Sequence, residues 1–340
     1  MNGNQNDNPP LNFWQDSRDC WRRLPNKGFF FLLLAAWLAL FQFLGNPILG
    51  YIHTSSLFLW MHEAYRSSGS SANDDAHGNF IPFLVVGLFW WKRRELLASA
   101  FNVWWPGLLI LAAGMALHVL GYVIQQPALS IVALFMGIYG LMGLAWGREW
   151  LRKSAFPFFL FVFSVPLGAR SEFITFPLRQ LVSWLVEVVA HWILGIDVIR
   201  VGTQVFDSSG TYQYEIAAAC SGMRSLIAIF LLATIYGFIT FRSAWKRLLL
   251  MVLAFPLAIL GNLARMLLII MAAELGGQEA GYYVHEGCPI HLPFNVPLIG
   301  NELALVNLLP YIPVIIGLLL VGRLLEKWRD PDAPVEQRHP

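Results

Sequence analysis

The chain has 340 residues, 57% of them hydrophobic and 13% charged, about half the charged share of an ordinary soluble domain. A formal net charge of only +2, with no basic patch interleaved with aromatics, argues against nucleic acid as a partner. Three cysteines, Cys20, Cys220 and Cys288, make no disulfide framework, and the mean hydropathy of +0.56 points to a polytopic membrane protein.

Residues 1–28 are polar and contain proline, which predicts a disordered or surface-lying tail. Apolar stretches long enough to cross a bilayer, about 20 residues, follow at 29–50, 101–121, 128–147, 216–241, 248–273 and 304–322. The first has no small-residue cleavage site behind it and is expected to stay as an anchor. Two shorter stretches, 80–91 and 155–168, need help from flanking residues or a thinned bilayer. Segment 172–195 is apolar enough to insert but carries Glu172, Arg179, Glu187 and His191. After it, two β-prone runs flank Asp207-Ser208-Ser209-Gly210 and predict a hairpin across 197–215. Its edge has the character to hold an extended peptide by strand addition.

Sidedness follows from the basic residues, which concentrate in cytoplasmic loops. They cluster at Arg18/Arg22/Arg23/Lys27, Lys92/Arg93/Arg94, Arg148/Arg152/Lys153, Arg242/Lys246/Arg247 and Arg323/Lys327/Arg329. All five fall on one side if there are eight spans and 172–195 is interfacial or re-entrant. The expected fold is therefore an all-α polytopic membrane protein of about eight transmembrane helices, with that extra helix and a short extracytoplasmic β-hairpin. Residues 1–28 and 324–340 become cytoplasmic tails around a transmembrane domain at 29–323. Residues 274–303 hold Glu274, Glu279, Glu286 and Glu302 but no Lys or Arg, as an outer loop should.

On this path three reactive side chains converge on the extracytoplasmic face. Cys220 lies near the outer end of its span, and Arg265 sits eight residues before Ala273, about 12 Å below the boundary at 1.5 Å per residue. His285 falls in the loop that follows. A free cysteine is by default a small buried hydrophobe, but Arg224 shares a helix face with Cys220 four residues away, and a guanidinium lowers a thiol pKa. Arginine inside a membrane span is a functional signal by default. Asn262, one turn earlier, is placed to orient Arg265. A histidine is the usual group that takes a thiol proton and returns it to a leaving amine; His291 competes with His285 for that role. The run His285-Glu286-Gly287-Cys288-Pro289-Ile290-His291 lacks the spacing and helix of a zinc-protease motif, so neither a metal nor any cofactor is expected. Cys288 has the alternative of pairing with Cys220 on the oxidising side. His77 opens the 80–91 span on the same face.

The pattern resembles the exosortase/archaeosortase family, and its bacterial exosortase branch more closely. The carrying residues are Ala219-Cys220-Ser221-Gly222 with Arg224-Ser225, then Asn262-Leu263-Ala264-Arg265, then His285-Glu286-Gly287. Asp75-Ala76-His77-Gly78 before Ile81-Pro82, Phe156-Pro157 through Val165-Pro166-Leu167, and the hairpin support it, so that the similarity covers roughly 70–323. The resemblance implies a cysteine transpeptidase of the bacterial inner membrane, its site facing the periplasm. Its substrates would be secreted proteins bearing a C-terminal tail of PEP-CTERM type, transferred to an envelope acceptor, in systems tied to exopolysaccharide. It assigns Cys220 as nucleophile, His285 as acid and base, and Arg265 to charge stabilisation, with Arg224, Asn262, His77 and Ser221 in support. Ala218 departs from the acidic residue many members carry there, and the loop beyond His285 runs longer than usual, as a variant subfamily would have it. Two other functions compete. A non-catalytic component of polysaccharide export needs no nucleophile. A transporter places its ionisable groups near the midplane and often shows repeats, and this chain shows neither.

Overall fold

The computed structural model describes residues 13–46, 54–66, 72–167, 172–208, 210, 212–215, 223–286, 289–296, 300–304 and 311–328. Two compact units result: Met1–Ser67 with Asp75–Pro166, and Ser68–Asp74 with Leu167–Pro340.

In the first unit the polar tail folds into helix α1 (Phe13–Arg23), so its described part is the surface-lying alternative and not a disordered one. Asp16 holds it down by pairing with Arg93. Helix α2 (Lys27–Leu44) is apolar apart from Lys27 and Gln42, and α3 (Leu57–Arg66) follows it. A 3₁₀ turn at Ala72–Asn79 belongs to this unit from Asp75 on, and α4 (Ile81–Trp91) and α5 (Arg93–Leu97) come next. Helices α6 (Pro106–Val123) and α7 (Pro127–Trp146) both start on proline, whose missing N–H costs nothing at a first helical position. Their backbones meet along a glycine seam: a Cβ on Gly140 would lie 2.7 Å from the Gly107 carbonyl, and the reverse holds too. Such close approach is how helices associate where lipid removes the hydrophobic drive. Trp37 of α2 donates its indole N–H to the Leu134 carbonyl of α7 at 2.9 Å, which ties α2 to the pair around a core of Phe41, Leu134, Leu141, Trp146 and Trp150. Helix α8 (Arg148–Phe159) and a 3₁₀ segment, Leu160–Ser164, finish the unit.

The second unit opens with α9 (Glu172–Val189), which continues as a π-helical turn at Ala190–Leu194. Three strands follow, β1 (Val198–Val201), β2 (Gln204–Asp207) and β3 (Gln213–Glu215), paired antiparallel in that order. The expected single hairpin is thus a three-stranded meander. Gly202 has φ of +66° and turns the first run back on itself in a two-residue loop, the glycine-first pattern of hairpins. Helix α10 (Met223–Thr240) packs on α11 (Ala244–Glu286), a helix interrupted by non-helical backbone at Gly276 and Gly277. The stretch expected as an outer loop is therefore helical to Glu286, and beyond it β4 (Pro289–Val296) pairs with β5 (Gly300–Ala304). Helix α12 (Tyr311–Lys327) returns to pack on α10 and α11; of the predicted span at 304–322, Ala304 ends β5 and 305–310 lie outside the described residues.

Among the described residues four helices are long and apolar enough to cross a membrane: Lys27–Leu44, Pro106–Val123, Pro127–Trp146 and Ala244–Val284. His77–Trp91 and Leu226–Thr240 are shorter apolar helices. The protein is an all-α membrane protein with a small sheet, and α9 is not among the long apolar helices. The α9 charges instead meet the sheet segment: Arg200 donates to Glu187 at 2.9 Å, and His191 lies 2.9 Å from Asp197.

Candidate active site

The core of the second unit positions the site. Val182, Val186 and Ala190 recur at four-residue spacing along α9 and its π turn, and pack with Val198 and Val205 of the sheet. Opposite them stand Met266, Ile269, Ile270 and Ala273 of α11, all at 1% exposure or less. Asn262 and Arg265 continue this stripe one turn deeper, since residues three and four apart share a helix face. Asn262 is buried, Arg265 is half-buried, and both have bonding partners.

The glycine break then redirects the chain. Val284 packs back against the same core, and Tyr214 of β3 donates its hydroxyl to the Gln278 carbonyl at 2.9 Å. Gly281 makes this contact possible: a Cβ there would lie 2.0 Å from the Tyr214 hydroxyl and 3.0 Å from Ala273 Cβ. Two more bonds tie the approach to β3 and the strand itself to α11. The Tyr212 hydroxyl donates to Glu274 at 3.3 Å, and the Gln213 N–H to the Gln278 side chain at 3.2 Å. Burial, then the Glu274 carboxylate, push the Tyr212 phenol above its ordinary range. Strand β3 ends five residues before Cys220, and the docked helical segment ends at Glu286, one residue after His285. The strand that delivers the cysteine segment is thus fastened to the helix that carries both Arg265 and His285.

Cys220 and Ser221 lie outside the described residues. Arg224 falls in the first turn of α10 and His285 in the last turn of α11; only their backbone is described. Cys288 is outside the described residues, and His291 stands in β4 opposite Glu302 in the strand register. His77 belongs to the first unit, half-buried in the 3₁₀ turn beside buried Asp75. Both have partners. In that unit Tyr65 donates its hydroxyl to the Ser164 carbonyl, and burial together with the Asp75 carboxylate raises its phenol above the ordinary range. Sequence reasoning did not find Tyr212, Tyr214, Glu274, Gln278 or Gly281, because their partners are more than sixty residues away along the chain; the double glycine at 276–277 was the one local signal.

A helical membrane protein with several candidate spans, and a small sheet clamped to one long, broken helix, is a multi-pass membrane protein and not a simple anchor. The chain belongs to the transmembrane exosortase family, whose model matches residues 69–288. The match takes in Cys220, Arg265, His285 and the supporting residues from His77 onward, leaves His291 outside, and stops short of the 323 that the motif resemblance reaches. No curated protein and no solved structure matches the chain. Membership places it among membrane protein-sorting enzymes, a family that acts on secreted proteins with C-terminal sorting signals.

Proposed function

We propose that the protein is a cysteine transpeptidase that cleaves the C-terminal sorting signal of secreted proteins, of PEP-CTERM type, at the extracytoplasmic face of a bacterial inner membrane. It then transfers them to an envelope acceptor. The observation that carries this reading is the ordered set Cys220, Arg265 and His285 inside the family-matched span. The bonds that fasten β3 to both segments of α11 support it.

The Cys220 thiolate adds to the carbonyl carbon at the scissile bond, and Arg265 stabilises the oxyanion that forms. His285, as imidazolium, gives its proton to the departing amine as the C–N bond breaks and a thioester remains. Neutral His285 then takes a proton from the acceptor nucleophile, whose attack on the thioester releases the Cys220 thiolate and restores the starting charge state. Asn262 orients Arg265, Arg224 favours the thiolate, and Ser221 and His77 contribute to substrate binding. Losing one oxyanion donor lowers kcat by about 10²–10³, and losing a general acid–base by about 10²–10⁴.

Co-expression with a tailed substrate, followed by substrate mass, tests the mechanism. Cys220→Ala should abolish tail removal at unchanged expression, and a thioester adduct should be trappable on the wild type. Arg265→Lys should retain more activity than Arg265→Ala, because charge survives while the guanidinium fork is lost. Undiminished processing by Cys220→Ala sinks the mechanism.

A further inference from the structure

A cavity of about 440 Å³ lies under the N-terminal helix and has no part in the sorting chemistry. Its walls include Cys20, Trp21 and Leu24 of α1, Phe89 of α4, Leu97 of α5 and Trp150 of α8. The size suits a small amphiphile, and the lining is almost wholly apolar. One polar group breaks that pattern. Trp150 is 6% exposed, and its indole N–H is buried without any acceptor. A buried donor of this kind calls for an acceptor oxygen, which an occupant of the cavity would bring.

The rim is basic. Arg18 and Arg22 sit one turn apart on α1, exposed and beside exposed Trp21, with exposed Arg94 on α5. Of the neighbouring acids, Asp16 is engaged by Arg93, Glu95 by Lys92 at 3.6 Å and Glu149 by Lys153 at 2.7 Å, and exposed Asp19 offsets one of the positive charges on α1. Arg93 is committed as well, donating to Asp16 and to the Trp90 carbonyl at 2.9 Å. That leaves Arg18, Arg22, Arg23 and Arg94 without ion pairs among the described residues, against Asp19 alone, next to an apolar cavity. Tryptophans mark the same level of the membrane, where indoles favour the interface.

From this juxtaposition we infer that the cavity binds one anionic glycerophospholipid. An acyl chain lies among Phe89, Leu97 and Trp150, an ester carbonyl accepts from the Trp150 indole, and Arg18 and Arg22 meet the phosphate. Helix α1 is then a lipid-reading element and not a passive tail.

Native mass spectrometry of the full chain from mixed micelles of phosphatidylglycerol and phosphatidylcholine tests this. The expected result is one retained phosphatidylglycerol per chain in preference to phosphatidylcholine. Cys20→Phe, which fills the cavity, should abolish retention, and Trp150→Phe should weaken it. The paired change Arg18→Gln and Arg22→Gln should cut the preference for the anionic lipid by about 25-fold, at about fivefold per basic side chain. If Cys20→Phe fails to fold, Leu97→Trp fills the cavity from another wall. Equal retention of both lipids, no retained lipid on the wild type, or undiminished binding by a folded cavity-filling variant would each overturn the inference. So would displacement by millimolar inorganic phosphate, which would assign the basic rim to a free anion.

Discussion

Replacing Gly281 by alanine isolates the contact that holds the His285 segment against the sheet. Alanine is the better helix former by about 0.8–1.0 kcal/mol, so in an isolated helix the change stabilises. Here the new methyl would fall 2.0 Å from the Tyr214 hydroxyl and 2.7 Å from Cζ of the same ring, with Ala273 Cβ at 3.0 Å behind it. Neither neighbour has room to retreat: Ala273 is 1% exposed and Tyr214 is 9% exposed. Overpacking of a filled core costs about 1–3 kcal/mol. Displacing Tyr214 also forfeits its bond to the Gln278 carbonyl, worth about 0.5–1.5 kcal/mol net. After the helix-propensity gain, a loss of about 1–3 kcal/mol remains, opposite in sign to the local expectation. Thermal unfolding of the purified protein in detergent reads the sign, and substrate processing reads the consequence, which should be a deep loss of activity. In a Tyr214→Ala background the same glycine change should be close to neutral or stabilising. A Gly281→Ala protein as stable and as active as wild type would refute both the docking and its role.

Two further outcomes rest on the packing of α6 on α7 and on Tyr212. Gly140→Leu should prevent assembly of α6 on α7 because its Cβ meets the Gly107 carbonyl, whereas Gly87→Leu, with nothing within 4 Å, should be tolerated; folded yield on size exclusion distinguishes them. Tyr212 has a folded pKa above its ordinary value of 10.0, so its contribution to stability is complete below about pH 10 and is lost as pH rises through the raised folded value. Unfolding followed between pH 8 and 11 should show that decline, and Tyr212→Phe should make it shallower, the rest belonging to other raised phenols such as Tyr65.

The spans legible in the sequence were those whose signal is local. Pro106 and Pro127 start α6 and α7, and continuous apolar runs mark α2 and α11. What escaped was decided by distant partners. Helix α1 is polar with proline before it, and the part-buried pairing of Asp16 with Arg93 keeps it in place. Residues 278–286 follow two glycines, the usual sign of a helix end, yet they stay helical and dock through Gln278 and Gly281. The β1–β2 turn hid inside an apparently continuous β-prone run because Gly202 is its single punctuation. For the site, residue types and order pointed to Cys220, Arg265 and His285, while the frame around them was invisible: no local pattern announces that Tyr212 and Tyr214 will meet a helix more than sixty residues on.

The stripe on α11 from Asn262 to Ala273 also sets which genetic changes this protein can absorb. Adding or removing one residue there turns everything beyond it by about 100°, swinging the buried face off the sheet and carrying 278–286 away with it. Substitution alters one contact, but a change of length alters every later one. Between Arg265 and the glycine break, drift is therefore confined to replacement. Beyond Glu286 the chain leaves this stripe, so a change of length there does not rotate the face that packs on the sheet.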